Sequence, residues 1–89
     1  MAKNYTGTAM KIIDNLGGLE NIEKVIHCAT RLRFALRNSS LADTEQMKKT
    51  EGVMGVMNTG GQYQVLIGTD VADMFDAVVK AGVADGGTD

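Results

Sequence analysis

Proline and tryptophan are absent from this 89-residue chain, and cysteine and histidine occur once each. Without proline nothing but glycine is left to break helices and strands. A single thiol forms no internal disulfide, and one cysteine with one histidine is too small a donor set for a structural zinc site. No apolar run approaches the roughly 20 residues that cross a bilayer, and the opening MAKNYTGTAM lacks the apolar centre of a secretory signal. These absences point to one small cytoplasmic domain held by its core alone, which 44% hydrophobic residues suffice to build.

What charge there is sits unevenly. The net charge of −2 argues against a nucleic-acid partner gripped through many phosphates. Residues 24–37 nevertheless carry Lys24, Arg31, Arg33 and Arg37 with no acid, whereas residues 70–89 carry five aspartates against one lysine. The positive cluster surrounds the lone cysteine, Cys28.

Periodicity supplies the frame. Tyr5, Ala9, Ile12, Ile13 and Leu16 line one helical face over about 5–16, and Gly17-Gly18 ends it. Ile22 to Cys28 reads as a strand, and Arg31 to Arg37 alternates, with Leu32, Phe34 and Leu36 on one side and the arginines on the other. Cys28 therefore falls at a hairpin tip. Asp43 with Gln46 opens a short polar helix to about Thr50, anchored by Met47. Val53 to Asn58, in which VMGVM reads as a core strand, and Gln62 to Gly68 form a second hairpin through Thr59-Gly60-Gly61. A last helix runs from an Asp70 cap to a Gly82 stop, with Val71, Met74, Phe75, Val78 and Val79 on one face. The order α-β-β-α-β-β-α predicts an α+β fold: a four-stranded antiparallel sheet of two hairpins with helices on one face. The domain is expected over 1–82, with 83–89 a flexible tail or the start of a linker.

A thiolate is the reactive form of cysteine, and neighbouring cations or converging backbone N–H groups favour it. The Ala29-Thr30 turn can aim amides and the Thr30 hydroxyl at an anion, and Arg31 and Arg33 leave the same strand face. Gly60-Gly61-Gln62 is a candidate second loop completing such a pocket, and His27, pointing to the other side of the strand, a candidate accessory group. Each feature alone has a plainer explanation: lone cysteines are commonly buried, alternating arginines commonly coat a wet sheet face, and glycines commonly make turns. The coincidence of cysteine, turn and arginines within six residues favours an anion site.

The segments "HCATRLRF" and "GVMGVMNTGGQYQVLIG", with the lead-in "LGGLENIEKVIHC", resemble the enzyme IIB domain of the bacterial sugar phosphotransferase system, glucose superfamily, most of all its β-glucoside and sucrose branch. The resemblance spans about Tyr5 to Lys80. It implies that Cys28, in the CxTRLR pattern, carries a phosphoryl group. That group would arrive from a phosphohistidine of an enzyme IIA domain and leave for a sugar in a membrane-embedded enzyme IIC domain. It also implies a soluble domain at the cytoplasmic face of the bacterial cell membrane, fused to enzyme IIC, with no metal or cofactor. Two rival chemistries fit less well. A C-x5-R phosphatase needs arginine at position 34, which is Phe, and a rhodanese-like sulfurtransferase favours a parallel α/β plan. A non-catalytic scaffold whose arginines bind an acidic partner is the remaining alternative.

Overall fold

The computed structural model describes residues 5–59 and 62–88. Helix α1, Tyr5–Asn15, turns Ala9, Ile12 and Ile13 inward and stops at the paired glycines, where the Gly18 N–H donates to Ile13 O at 2.9 Å. Strand β1, Ile22–His27, folds back into β2, Arg31–Leu36. Asp43 caps helix α2, Thr44–Lys49, by accepting from the Gln46 N–H at 3.1 Å. Strands β3, Gly55–Thr59, and β4, Gln62–Leu66, lead to helix α3, Val71–Lys80, whose buried stripe is Val71, Met74 and Val78. Asp70 holds the N-cap position of α3, although its side chain makes no capping bond. Among the described residues no helix is long and apolar enough to cross a membrane.

The helices cover one face of the sheet. Val25, Leu32, Phe34, Tyr63 and Val65 are fully buried on that face and share one apolar cluster with Ile12, Leu16 and Met47 from the helical side. Each such side chain is worth roughly 1.5–3 kcal/mol of burial. Two polar residues are built into this layer. Asn21, 4% exposed, donates through Nδ2 to Leu16 O at 2.7 Å and Asn38 O at 2.9 Å, and its Oδ1 accepts from the Asn38 N–H at 2.9 Å. It thereby satisfies backbone groups where the loops after α1 and β2 meet. The Tyr63 hydroxyl lies 2.8 Å from Thr44 Oγ1. Burial pushes its phenol above the usual range, the Thr44 bond pulls the other way, and the Asp43 carboxylate adds a small upward push.

The sheet departs from the expected four antiparallel strands. Its order is β3-β4-β2-β1-β5, and the fifth strand, Asp85–Thr88, runs parallel to β1, making the sheet mixed. Residues 83–89 were expected to trail from the domain because VADGGTD has the composition of a linker. Instead Val83 is buried and Val25 N–H donates to Ala84 O at 3.0 Å. The glycines are what allow this: a Cβ on Gly86 would stand 2.8 Å from Ile26 Cγ1 and 2.9 Å from Val25 O. The run VMGVM also differs from the core strand expected of it. It belongs to the sheet edge, with Val53 and Val56 partly buried against the core, and Met54 and Met57 are exposed by 72% and 49%.

Candidate functional site

The β1–β2 hairpin builds the site. Ile26 pairs with Arg33 and His27 with Leu32, and the ladder closes where the Cys28 N–H donates to Arg31 O at 3.0 Å. Cys28 and Arg31 thus face each other across the two-residue turn Ala29-Thr30. Strand alternation carries Cys28 to the side of Lys24 and Ile26, the face away from the helices, and carries Arg31 and Arg33 to the same side. Cys28 is half-buried, with Sγ 3.7 Å from Arg31 O, while Ala29 and Thr30 are exposed. Among the described residues no acceptor engages the Ala29 or Thr30 amides or the Thr30 hydroxyl. Three unengaged donors therefore sit on the open turn that follows the thiol in the chain.

The turn is fixed from its other side. Thr30 O accepts from both the Ile67 and Gly68 N–H groups at 2.9 Å, tying it to the chain that leaves β4. Gly68 takes φ +96°, a conformation costly for any side chain, and its bend brings two successive amides to one carbonyl. This contact was missed in the sequence, where the only signal was a glycine directly after a strand.

Of the expected second loop, Gln62 alone is described, and it lies away from the thiol. Gln62 pairs with Ala35, four residues along β2 from Arg31, which is about 13 Å at strand rise. Gly60 and Gly61 fall outside the described residues. Antiparallel pairing of β2 with β4 forces this outcome, since it sets the end of β4, not its start, beside Cys28. His27 points to the helical face as expected, its ring centroid 4.3 Å from that of Phe75 on α3, and so does not line the open face with the thiol. Arg31 Nη1 donates to Gln64 Oε1 at 3.1 Å and lies 3.9 Å from Met57 Sδ.

A family model described as phosphotransferase system, EIIB matches residues 10–43, which include the whole cysteine hairpin. A crystal structure of one domain of the PTS system IIabc component from Clostridium difficile superimposes with a TM-score of 0.85 at 31% identity, covering 96% of this chain and 90% of that one. The chain belongs to the phosphotransferase system EIIB family. Within that family, this EIIB domain is 47% identical over 77 residues to the beta-glucoside-specific EIIBCA component of Dickeya chrysanthemi. It is 46% identical over 80 residues to the arbutin-, cellobiose- and salicin-specific EIIBC component of Escherichia coli K12. These alignments take in 86% and 90% of the EIIB domain but only 12% and 16% of the relatives, whose remaining length lies outside the match.

Proposed function

We propose that this EIIB domain is a phosphoryl carrier whose acceptor atom is Cys28 Sγ, loaded by a phosphohistidine of an enzyme IIA domain and unloaded onto a sugar held by a membrane enzyme IIC domain. The observation that carries the reading is the turn itself: a half-buried thiol on the open sheet face, beside the unengaged amides of Ala29 and Thr30 and two arginines of one strand face. The names of the relatives, EIIBC and EIIBCA components for β-glucosides and sucrose, support the two partners and the sugar class.

In loading, the Cys28 thiolate attacks phosphorus in line. The S–P bond forms as the P–N bond breaks, and the imidazole nitrogen keeps the electron pair. In unloading, a sugar hydroxyl oxygen bonds to phosphorus, the S–P bond breaks, the thiolate is restored, and the hydroxyl proton passes to a base on the acceptor side. Such transfer needs little from the protein beyond position and charge compensation. The Ala29 and Thr30 amides and the Thr30 hydroxyl supply these from the open turn, and Arg31 and Arg33 add positive charge from the same strand face. A site that serves two proteins in turn must be open, as this one is.

Intact-mass measurement after incubation with a phosphoenolpyruvate-charged relay ending in phosphorylated enzyme IIA tests the reading. The wild type should gain one phosphoryl group and Cys28→Ser none. Equal labelling of both would place the acceptor on another residue and end the proposal.

A further inference from the structure

The Arg31 side chain leans the wrong way for a residue that holds phosphate on Cys28. In the order β3-β4-β2-β1, Cys28 lies on the β1 side of β2, whereas Arg31 reaches to the opposite side. Its Nη1 donates to Gln64 Oε1 on β4 at 3.1 Å and lies 3.9 Å from Met57 Sδ on β3. There the guanidinium borders a shallow cleft of about 200 Å³ shared with Gly55, Val56 and Leu66. Turned toward β1, the same flexible side chain would have only the cross-strand spacing of about 5 Å to span.

We infer that Arg31 works between two positions, and that Gln64 is the positioning residue that holds it in the first. With a bare thiol, Arg31 rests on the Gln64 carbonyl oxygen, clear of Cys28, so the entrance to the sulfur is open for in-line attack. Once a phosphoryl group is on Sγ, its anionic oxygens compete for the same guanidinium. A phosphoryl group carries opposite charge and can accept two parallel bonds from a guanidinium, whereas the Gln64 amide offers one neutral acceptor oxygen, so Arg31 transfers to the phosphoryl group. The thioether sulfur of Met57 is only a weak acceptor and does not oppose the move. When the group departs, Gln64 takes Arg31 back, which helps release. A neutral amide at position 64 suits this exchange: a carboxylate would hold Arg31 too firmly, and an apolar side chain would not hold it at all.

This inference rests on the carrier reading, and its test separates the two. Wild type, Gln64→Glu and Gln64→Leu are each equilibrated with phosphorylated enzyme IIA, and the fraction of phosphorylated EIIB is read by intact mass. Gln64 is on the open face, so both variants should keep the wild-type unfolding midpoint. Gln64→Glu should lower the equilibrium loading of Cys28 by about fivefold or more. Gln64→Leu should raise it by about twofold to tenfold, the net value of one hydrogen bond released on a solvent-accessible face. A merely structural role for Gln64 could not move the two variants in opposite directions. A wild type that gains the group, with both variants lowered together or both unchanged, overturns the two-position inference alone. A wild type that never gains it overturns the carrier reading and this inference with it.

Discussion

Tyr63 is where a single side chain links packing to pH. Its ring is fully buried in the core and its hydroxyl reaches Thr44 Oγ1 at 2.8 Å. Desolvation favours the neutral phenol, so the folded-state pKa stands above the ordinary 10.0. Below pH 10 folded and unfolded chains both keep the proton, and the group's contribution is complete. Above that, the unfolded chain releases a proton that the folded chain retains, so stability falls as pH rises through the folded value. The steepest loss from one such group is about 1.4 kcal/mol per pH unit. Urea unfolding at pH 8.5 and 10.5 checks this. Tyr63→Phe should lose less between the two pH values than the wild type does, while costing about 1 kcal/mol at pH 7 from the broken Thr44 bond. Identical pH slopes for the two proteins would show that Tyr63 does not govern the alkaline limb.

Among the elements, β5 depends most on the absence of side chains. Gly86 lies so close to β1 that a Cβ would stand 2.8 Å from Ile26 Cγ1 and 2.9 Å from the Val25 carbonyl oxygen, the latter a backbone atom that cannot rotate away. Gly86→Val should therefore lift β5 off β1, at a cost of about 1–3 kcal/mol in unfolding free energy. The Val25 amide, which donates to Ala84 O, should then exchange with solvent much faster. Unchanged protection of Val25 would mean that the strand tolerates the side chain. The same element marks where sequence reading ended. Alternation in Arg31–Leu36 made β2, its buried side and the arginine face legible, because one residue in two had to be apolar. The periodic stripes of α1 and α3 were legible for the same reason. Asp85–Thr88 has no apolar residue to alternate, and its partner strand lies more than fifty residues away, so nothing local distinguishes it from a linker. Register between β2 and β4 was likewise invisible: each strand displayed its period, but only their pairing decides that Gly68 adjoins the cysteine turn and Gln62 does not. The thiol, the turn and the arginines were readable because they are contiguous in the chain.

At the scale of the whole molecule, charge is divided by the sheet. Lys24, Arg31 and Arg33 lie on the open face with Cys28, while the acids Asp14, Glu45, Asp73 and Asp76 and the lysines Lys11, Lys48, Lys49 and Lys80 belong to the helices. The domain is about 21 Å across its shortest axis. Screening reaches only about 8 Å at physiological salt, so a partner approaching the open face meets local positive charge and little of the net −2. On the proposed carrier reading, an enzyme IIA surface bearing acidic groups should accordingly be steered to Cys28, and the encounter should weaken as salt is added. Stopped mixing of phosphorylated enzyme IIA with this domain, sampled by rapid quench, gives the second-order rate constant for loading. Between 0.05 and 0.5 M salt it should fall by about threefold or more, because attraction across solvent is screened. The first-order rate at saturating donor should change little, because the phosphoryl oxygens and arginines then meet in contact where screening is weak. A loading constant that is flat or rises with salt would mean that the open face recognises its donor by apolar contact, with Met57 an exposed group there to make it.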